Sequence, residues 1–247
     1  MSTNTTEPSP LLAARIAGAL WLIVIVASIA SVAGMHPLDW RADPAALVST
    51  ATSGASTIRL GFAVRFLGKV CYVGVTILLY EILKPVNRSV ALFSAFCGLA
   101  GLLSGINAFN DFTALSLLEE SRQAAEPLAS QLQASARTIM ATHSLGSGGE
   151  DVFFGFQIAA LGVLITRSRL IPRAIGAVLL LGGAGFLIVS FTNFLSPALG
   201  DRLGPLVLPI AILGEGSLTL WLLLKGVNVE QWRAAVAQSS AIDWAAQ

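Results

Sequence analysis

The sequence predicts an all-α fold, a polytopic membrane helical bundle with six transmembrane helices and an amphipathic helix in a long outer loop. Hydrophobic residues make up 55% of the 247 residues, and charged residues make up only 12%. A soluble domain has about 25% charged residues. Six apolar runs of 16 to 26 residues fill most of the chain, and about 20 apolar residues cross a hydrocarbon core of about 30 Å.

The predicted membrane domain covers residues 13–226. Residues 1–12 are polar and contain two prolines, so we expect a disordered tail there. The first run is longer than the apolar core of a secretory signal and follows the single cation Arg15, so we expect it to remain as a span. Residues 227–247 contain no apolar run and are expected to form a cytoplasmic tail. The six predicted spans are 14–35, 58–83, 89–113, 151–166, 173–195 and 206–225.

Two connections carry helix signals of their own. Asp43 before Pro44 predicts a helix start, because proline suits the first helical position. Pro127 predicts the start of an amphipathic helix at the membrane surface, and we expect the glycine-rich stretch 146–149 to end it. The residues that fall near its apolar face are Leu128, Leu132, Ile139, Met140 and His143.

Lysine and arginine are distributed unequally between the two sides of the predicted bundle. Eight lie in one set of connections and five in the other, and the turns at 84–88 and 167–173 are the most basic. Because positive charge favours the cytoplasmic side, we expect both termini in the cytoplasm of a multi-pass protein of the cell membrane. Membrane lipid is its first expected partner.

Ionisable residues lie inside three of the apolar runs. Arg65 and Lys69 share one face of the second span, about 10 and 16 Å below its outer end. Glu215 lies near the middle of the sixth span, so Lys69–Glu215 is the first predicted ion pair. Asp111 lies near the outer end of the third span, and Glu150 and Asp151 open the fourth; any of these three could neutralise Arg65.

Two interpretations of these charges stay open. In one, they form buried salt bridges that only fix helix packing, and the protein is a non-catalytic structural or regulatory subunit. In the other, they line an outward-facing polar cavity that binds or transports a small, anionic ligand, because excess positive charge favours an anion. The candidate ligand-binding residues are Arg65, Lys69, Asn107, Asp111, His143, Gln157, Asn193 and Glu215.

The sequence offers no catalytic motif, so we do not expect an enzyme. It lacks G-x-S-x-G, the phosphate-binding G-x-x-x-x-G-K-[ST] loop, and the His or Cys spacings of a zinc site. We therefore predict no metal and no cofactor. A net charge of +1 argues against a nucleic-acid partner. The oligomeric state is left open.

Several stretches resemble the bacterial integral membrane proteins of the domain of unknown function 4386 family. Together they run from about residue 13 to 226, and their order and spacing carry the resemblance. It implies a multi-helix membrane protein of unassigned activity and brings no catalytic residue with it. Lys69 departs from the family pattern, in which an apolar or acidic residue is expected there. The matching stretches are 14–18 (ARIAG), 59–62 (RLGF), 79–88 (LYEILKPVNR), His143, 152–155 (VFFG), 168–176 (SRLIPRAIG), 214–215 (GE) and 220–226 (LWLLLKG).

Overall fold

The computed structural model describes residues 9–35, 44–104 and 107–245. All regular secondary structure in these ranges is α-helical. In chain order the helices are α1 (Pro10–Met35), α2 (Pro44–Ser53), α3 (Ala55–Leu83), α4 (Arg88–Ser104), α5 (Asn107–Ser121), α6 (Leu128–Arg167), α7 (Arg173–Leu195), α8 (Pro197–Leu224) and α9 (Val229–Ala245).

Five stretches of the described chain are long and apolar enough to cross a membrane. They are α1, α3, the second part of α6 (Gly149–Arg167), α7 and α8. The chain is therefore an all-helical, multi-pass membrane protein with lipid around it. The predicted third span includes α4 and the start of α5, and the structure does not describe residues 105 and 106 between them. The 17 residues of α4 extend about 26 Å. Six spans thus remain a prediction.

Two helices are longer than predicted. The expected break at 146–149 is wrong, because α6 continues as one helix of 40 residues into the fourth predicted span. Each interior glycine weakens a helix by only about 0.5–1 kcal/mol relative to alanine, which packing can offset. α8 begins at Pro197 rather than near 206, since proline fits the first turn, where its missing N–H is not needed.

The predicted helix start after Pro127 is confirmed, because α6 begins at Leu128. Pro44–Ser53 is helical, but the residues before Pro44 lie outside the described part of the chain, so the start at Pro44 remains a prediction. The preceding Asp43 lies outside the described residues. The apolar face expected for the outer-loop helix is divided: Met140 is buried, whereas Leu128 is 50% exposed. That the helix lies at the membrane surface remains a prediction.

The tail after the last span also forms a helix, α9, which sequence reasoning missed. The side-chain oxygen of Asn228 accepts a hydrogen bond from the backbone N–H of Gln231 at 3.1 Å and so caps it. Asn87 caps α4 in the same way, with Val90 as the donor at 3.0 Å. Asparagine is among the most favourable N-cap residues.

The chain divides into two compact units. The second unit, Ile23–Cys71 with Gly101–Glu150, has an apolar core in which Ile58, Leu115 and Met140 are buried, and α2 packs there against α5. The first unit comprises Met1–Leu22, Tyr72–Ala100 and Asp151–Gln247. In it α7 packs on α8, and glycines allow close backbone contacts between α6 and α7.

Candidate functional site

The charged centre of the second unit is an ion pair between α3 and α6. Lys69 Nζ donates a hydrogen bond to Glu150 Oε1 at 2.8 Å, and the two side chains are 20% and 31% exposed. The sequence predicted Glu215 as the partner of Lys69; the partner that the structure describes for Lys69 is Glu150, and the Lys69–Glu215 pair remains a prediction. Glu150 was considered on the sequence only as a partner for Arg65. Glu150 lies within α6, which continues as one helix through the glycines.

Two arginines of α3, Arg59 and Arg65, precede Lys69. Arg65, one turn earlier, is partly buried and engaged with neighbouring groups. Arg59, near the start of α3, forms an ion pair with Glu119 of α5 at 2.5 Å and lies 6.0 Å from the centre of the Phe112 ring. Arg59 is more exposed than Lys69, so its ion pair contributes little to stability by comparison.

Three predicted site residues cannot be placed from their side chains. Asn107 begins α5, and Asp111 and His143 lie within α5 and α6. Their side chains lie outside the described part of the structure, so the predicted Arg65–Asp111 pair and the roles of Asn107 and His143 remain predictions.

A buried polar centre in the first unit joins α3, α4 and α6. The hydroxyl of Tyr72 donates a hydrogen bond to the side-chain oxygen of Gln157, and Ser94 Oγ donates to the Gln157 backbone carbonyl at 3.2 Å. Thr76, one turn after Tyr72, donates to the Tyr72 carbonyl at 2.9 Å. Gln157 is only 1% exposed. Because buried polar groups are costly without partners, these bonds favour one relative placement of the three helices.

The space beside Gln157 is small. A cavity lined by Gln157, Ser94 and Thr76 has a volume of about 10 Å³, which is room for about one water molecule. Gly98 of α4 lies against the Gln157 side chain, because a Cβ there would be 2.6 Å from Nε2. This centre is therefore filled by its own side chains, with no room for a larger ligand beside Gln157.

Glu215 belongs to the same unit through Trp21. Its carboxylate accepts a side-chain hydrogen bond from Trp21, which is 1% exposed. The Trp21 and Tyr72 rings meet edge to face, with centroids 6.4 Å apart. Trp21, Tyr72 and Ser94 were missed from the sequence, although buried tryptophan and tyrosine usually place their polar atoms on a partner.

Asn193 does not take part in the polar centre of the first unit described above. It is exposed near the end of α7, and its side chain occupies the space where a Cβ of Gly200 in α8 would lie. Its position indicates a contact at the turn between α7 and α8. In the part of the chain that the structure describes, no group of three or more His, Cys, Asp or Glu side chains could hold a metal ion.

Comparison with known proteins returns one family. The family model described as a domain of unknown function (DUF4386) matches residues 16–226. No curated protein and no solved structure matches the chain. The match covers most of the chain and all five of the stretches able to cross a membrane, apart from the first residues of α1. The chain therefore belongs to the DUF4386 family of proteins of unknown function.

Proposed function

We propose that the protein is a non-catalytic structural or regulatory membrane subunit, in which buried charges and polar side chains fix how the helices pack. The direct ion pair between Lys69 and Glu150 carries this proposal. A lone charge inside the hydrocarbon costs at least about 2.5–3.5 kcal/mol. Pairing a cation of α3 with a carboxylate of α6 removes much of that cost. The pair can form only when the two helices are aligned so that the side chains meet, and it therefore favours that alignment.

The polar centre of the first unit supports the same function. Tyr72 and Ser94 each donate a hydrogen bond to Gln157, and the cavity beside them has room for about one water molecule. A ligand-binding pocket usually has a volume of about 300–1,000 Å³. Groups that are satisfied by each other and closely packed stabilise an arrangement of helices rather than hold a substrate.

A double-mutant cycle tests the structural role of the ion pair. The variants are Lys69→Met, Glu150→Gln and the two together, unfolded in detergent micelles. Removing one partner of a buried pair costs about 3–5 kcal/mol, and an exposed pair contributes about 0–1 kcal/mol. Because both side chains are partly exposed, we expect each single change to cost about 1–3 kcal/mol and the double change to cost less than either.

The matched control pairs Lys69→Met with Glu215→Gln, the partner expected from the sequence. These two changes should be additive, because Lys69 is bonded to Glu150 and Glu215 to Trp21. If the free-energy changes of Lys69→Met and Glu150→Gln were also additive, the structural role of the pair would be refuted.

A second function, binding or transport of a small anionic ligand at an outward-facing cavity, is favoured by one observation. The Lys69 and Glu150 side chains are 20% and 31% exposed, and Arg65 one turn away adds a second cation to the same face of α3. Mass spectrometry of small molecules that co-purify with the protein tests this function. An anion retained by the wild type and lost from Arg65→Gln would favour it over the structural function.

We also propose six crossings of the cell membrane, with both termini in the cytoplasm. Trp232 Nε1 donates to the Ile82 carbonyl at 3.1 Å, and the Asn228 N–H donates to the Leu170 carbonyl at 3.0 Å. These bonds place the ends of α3 and α6 beside the start of α9, at one end of the first unit. If two successive long spans end on the same side, α4 and α5 must return the chain between them. This supports a third crossing by the shorter apolar helix.

A further inference from the structure

A cavity in the first unit lies at the helix ends rather than among the predicted site residues. Its volume is about 610 Å³, and it is bordered by the turn between α6 and α7 and by the turn between α8 and α9. The two turns are joined by the hydrogen bond from the Asn228 N–H to the Leu170 carbonyl at 3.0 Å. We call this cavity the basic cleft.

The basic cleft combines a cationic rim with an apolar floor. Arg169, Arg173 and Lys225 line it and are exposed, and none of its ten described lining residues is acidic. Leu170 and Val227 form part of the lining and are 3% and 5% exposed. Guanidinium groups bind phosphate oxygens in a bidentate manner, so this rim suits a phosphate group.

Two backbone features keep the cations around the cleft. α7 begins at Arg173 after Pro172, with no side-chain cap and no acidic residue in its first turn, so the partial positive charge of its N-terminus adds to the cations. α8 ends at Leu224, and Gly226 in the turn after it has a φ of 72°, which glycine readily adopts; this turn leaves Lys225 on the rim.

The cleft also lies at the depth of lipid headgroups. Stretches able to span the membrane end at Arg167 and Leu224 and begin at Arg173, beside the cleft. Trp221 lines it, and tryptophan is enriched at the boundary between hydrocarbon and headgroups. An apolar floor next to a cationic rim fits a ligand whose phosphate is attached to an apolar body.

We propose that the basic cleft binds a phosphate group, in the form of an anionic phospholipid headgroup. This site is separate from the Lys69–Glu150 pair and does not depend on the function proposed above. Free phosphate would present the same chemistry to the rim, so the test must separate the two sources.

The test compares two triple variants of the full chain in a nonionic detergent. The cleft variant is Arg169→Gln, Arg173→Gln and Lys225→Gln. The matched control is Arg88→Gln, Arg167→Gln and Arg233→Gln, which removes equally many exposed cations from positions that do not line the cleft. Bound phosphatidylglycerol is counted by native mass spectrometry, diacylglycerol serves as the ligand without phosphate, and inorganic phosphate is followed by ³¹P line broadening.

We expect phosphatidylglycerol to bind the wild type and the control alike, and to bind the cleft variant more weakly by about fivefold for each cation removed. If inorganic phosphate alone shows this dependence, the phosphate site stands and the lipid source is wrong. Equal binding to both variants would overturn the proposal. So would diacylglycerol binding as tightly as phosphatidylglycerol, or no binding of either phosphate ligand to the wild type.

Discussion

Replacing Gly183 of α7 by alanine should destabilise the first unit, because α6 leaves no room for a side chain there. A Cβ at this position would lie 2.5 Å from the backbone nitrogen of Ala159 and 2.8 Å from the carbonyl oxygen of Gly155. Both atoms belong to the α6 backbone, so no side chain can rotate away. To reach an ordinary contact of about 3.4 Å, the two helices must separate by about 1 Å.

The magnitude follows from two opposing effects. Overpacking a close contact costs about 1–3 kcal/mol, whereas alanine in place of a helical glycine stabilises by about 0.5–1 kcal/mol. We therefore expect Gly183→Ala to lower the free energy of unfolding by about 1–2 kcal/mol. The matched control is Gly216→Ala in α8, where no other atom lies within 4 Å of the new Cβ. It should leave stability unchanged or raise it by up to about 1 kcal/mol.

The assay is unfolding by sodium dodecyl sulfate in mixed micelles, followed by the fluorescence of the five tryptophans. Both variants are measured against the wild type in the same detergent. A Gly183→Ala protein as stable as the Gly216→Ala protein would refute the close approach of α6 and α7.

Three further predictions use the same preparation. Gly98→Ala should lower the free energy of unfolding by about 1–3 kcal/mol, because the new Cβ displaces the Gln157 amide. The loss should be clearly smaller in a Gln157→Ala background, and equal losses in both backgrounds would contradict this contact. Trp232→Phe removes the hydrogen bond to a backbone carbonyl of α3, so α9 should become more sensitive to limited proteolysis, and unchanged cleavage would count against that docking. Arg88→Cys should react with an impermeant maleimide only from the cytoplasmic side and Gln123→Cys only from outside, and labelling from one side for both would exclude a third crossing.

The helices could be predicted wherever proline or a polar turn interrupts an apolar run. α7 covers Arg173–Leu195, the predicted range, because Pro172 precedes it and Ser196 and Pro197 follow it. The break in α6 was wrong because glycine lowers helix stability without preventing a helix. The sequence shows the number of glycines in a segment, but not the contacts that compensate for them.

Which charged residues pair with each other could be predicted less well than which residues lie inside the membrane. Depth along the sequence matched Lys69 with Glu215 and Arg65 with Glu150, but the partner of each residue also depends on the order and rotation of helices in the bundle. A helical periodicity does not contain that information. The basic cleft could not be predicted for the same reason. Its two turns are far apart in sequence and are joined by the hydrogen bond from the Asn228 N–H to the Leu170 carbonyl.

Glu150 and Glu215 have different partners, and this difference separates structural from functional roles. Glu150 is bonded to a cation, so Glu150→Gln leaves Lys69 charged without its carboxylate, and stability must respond. Glu215 is bonded to the indole N–H of Trp21, and an amide oxygen in Glu215→Gln can accept the same bond. If Glu215→Gln lost ligand binding or transport but kept its stability, the function would require the carboxylate itself. At Glu150 a single substitution would change stability and function together. The double-mutant cycle with Lys69→Met is therefore the informative experiment there.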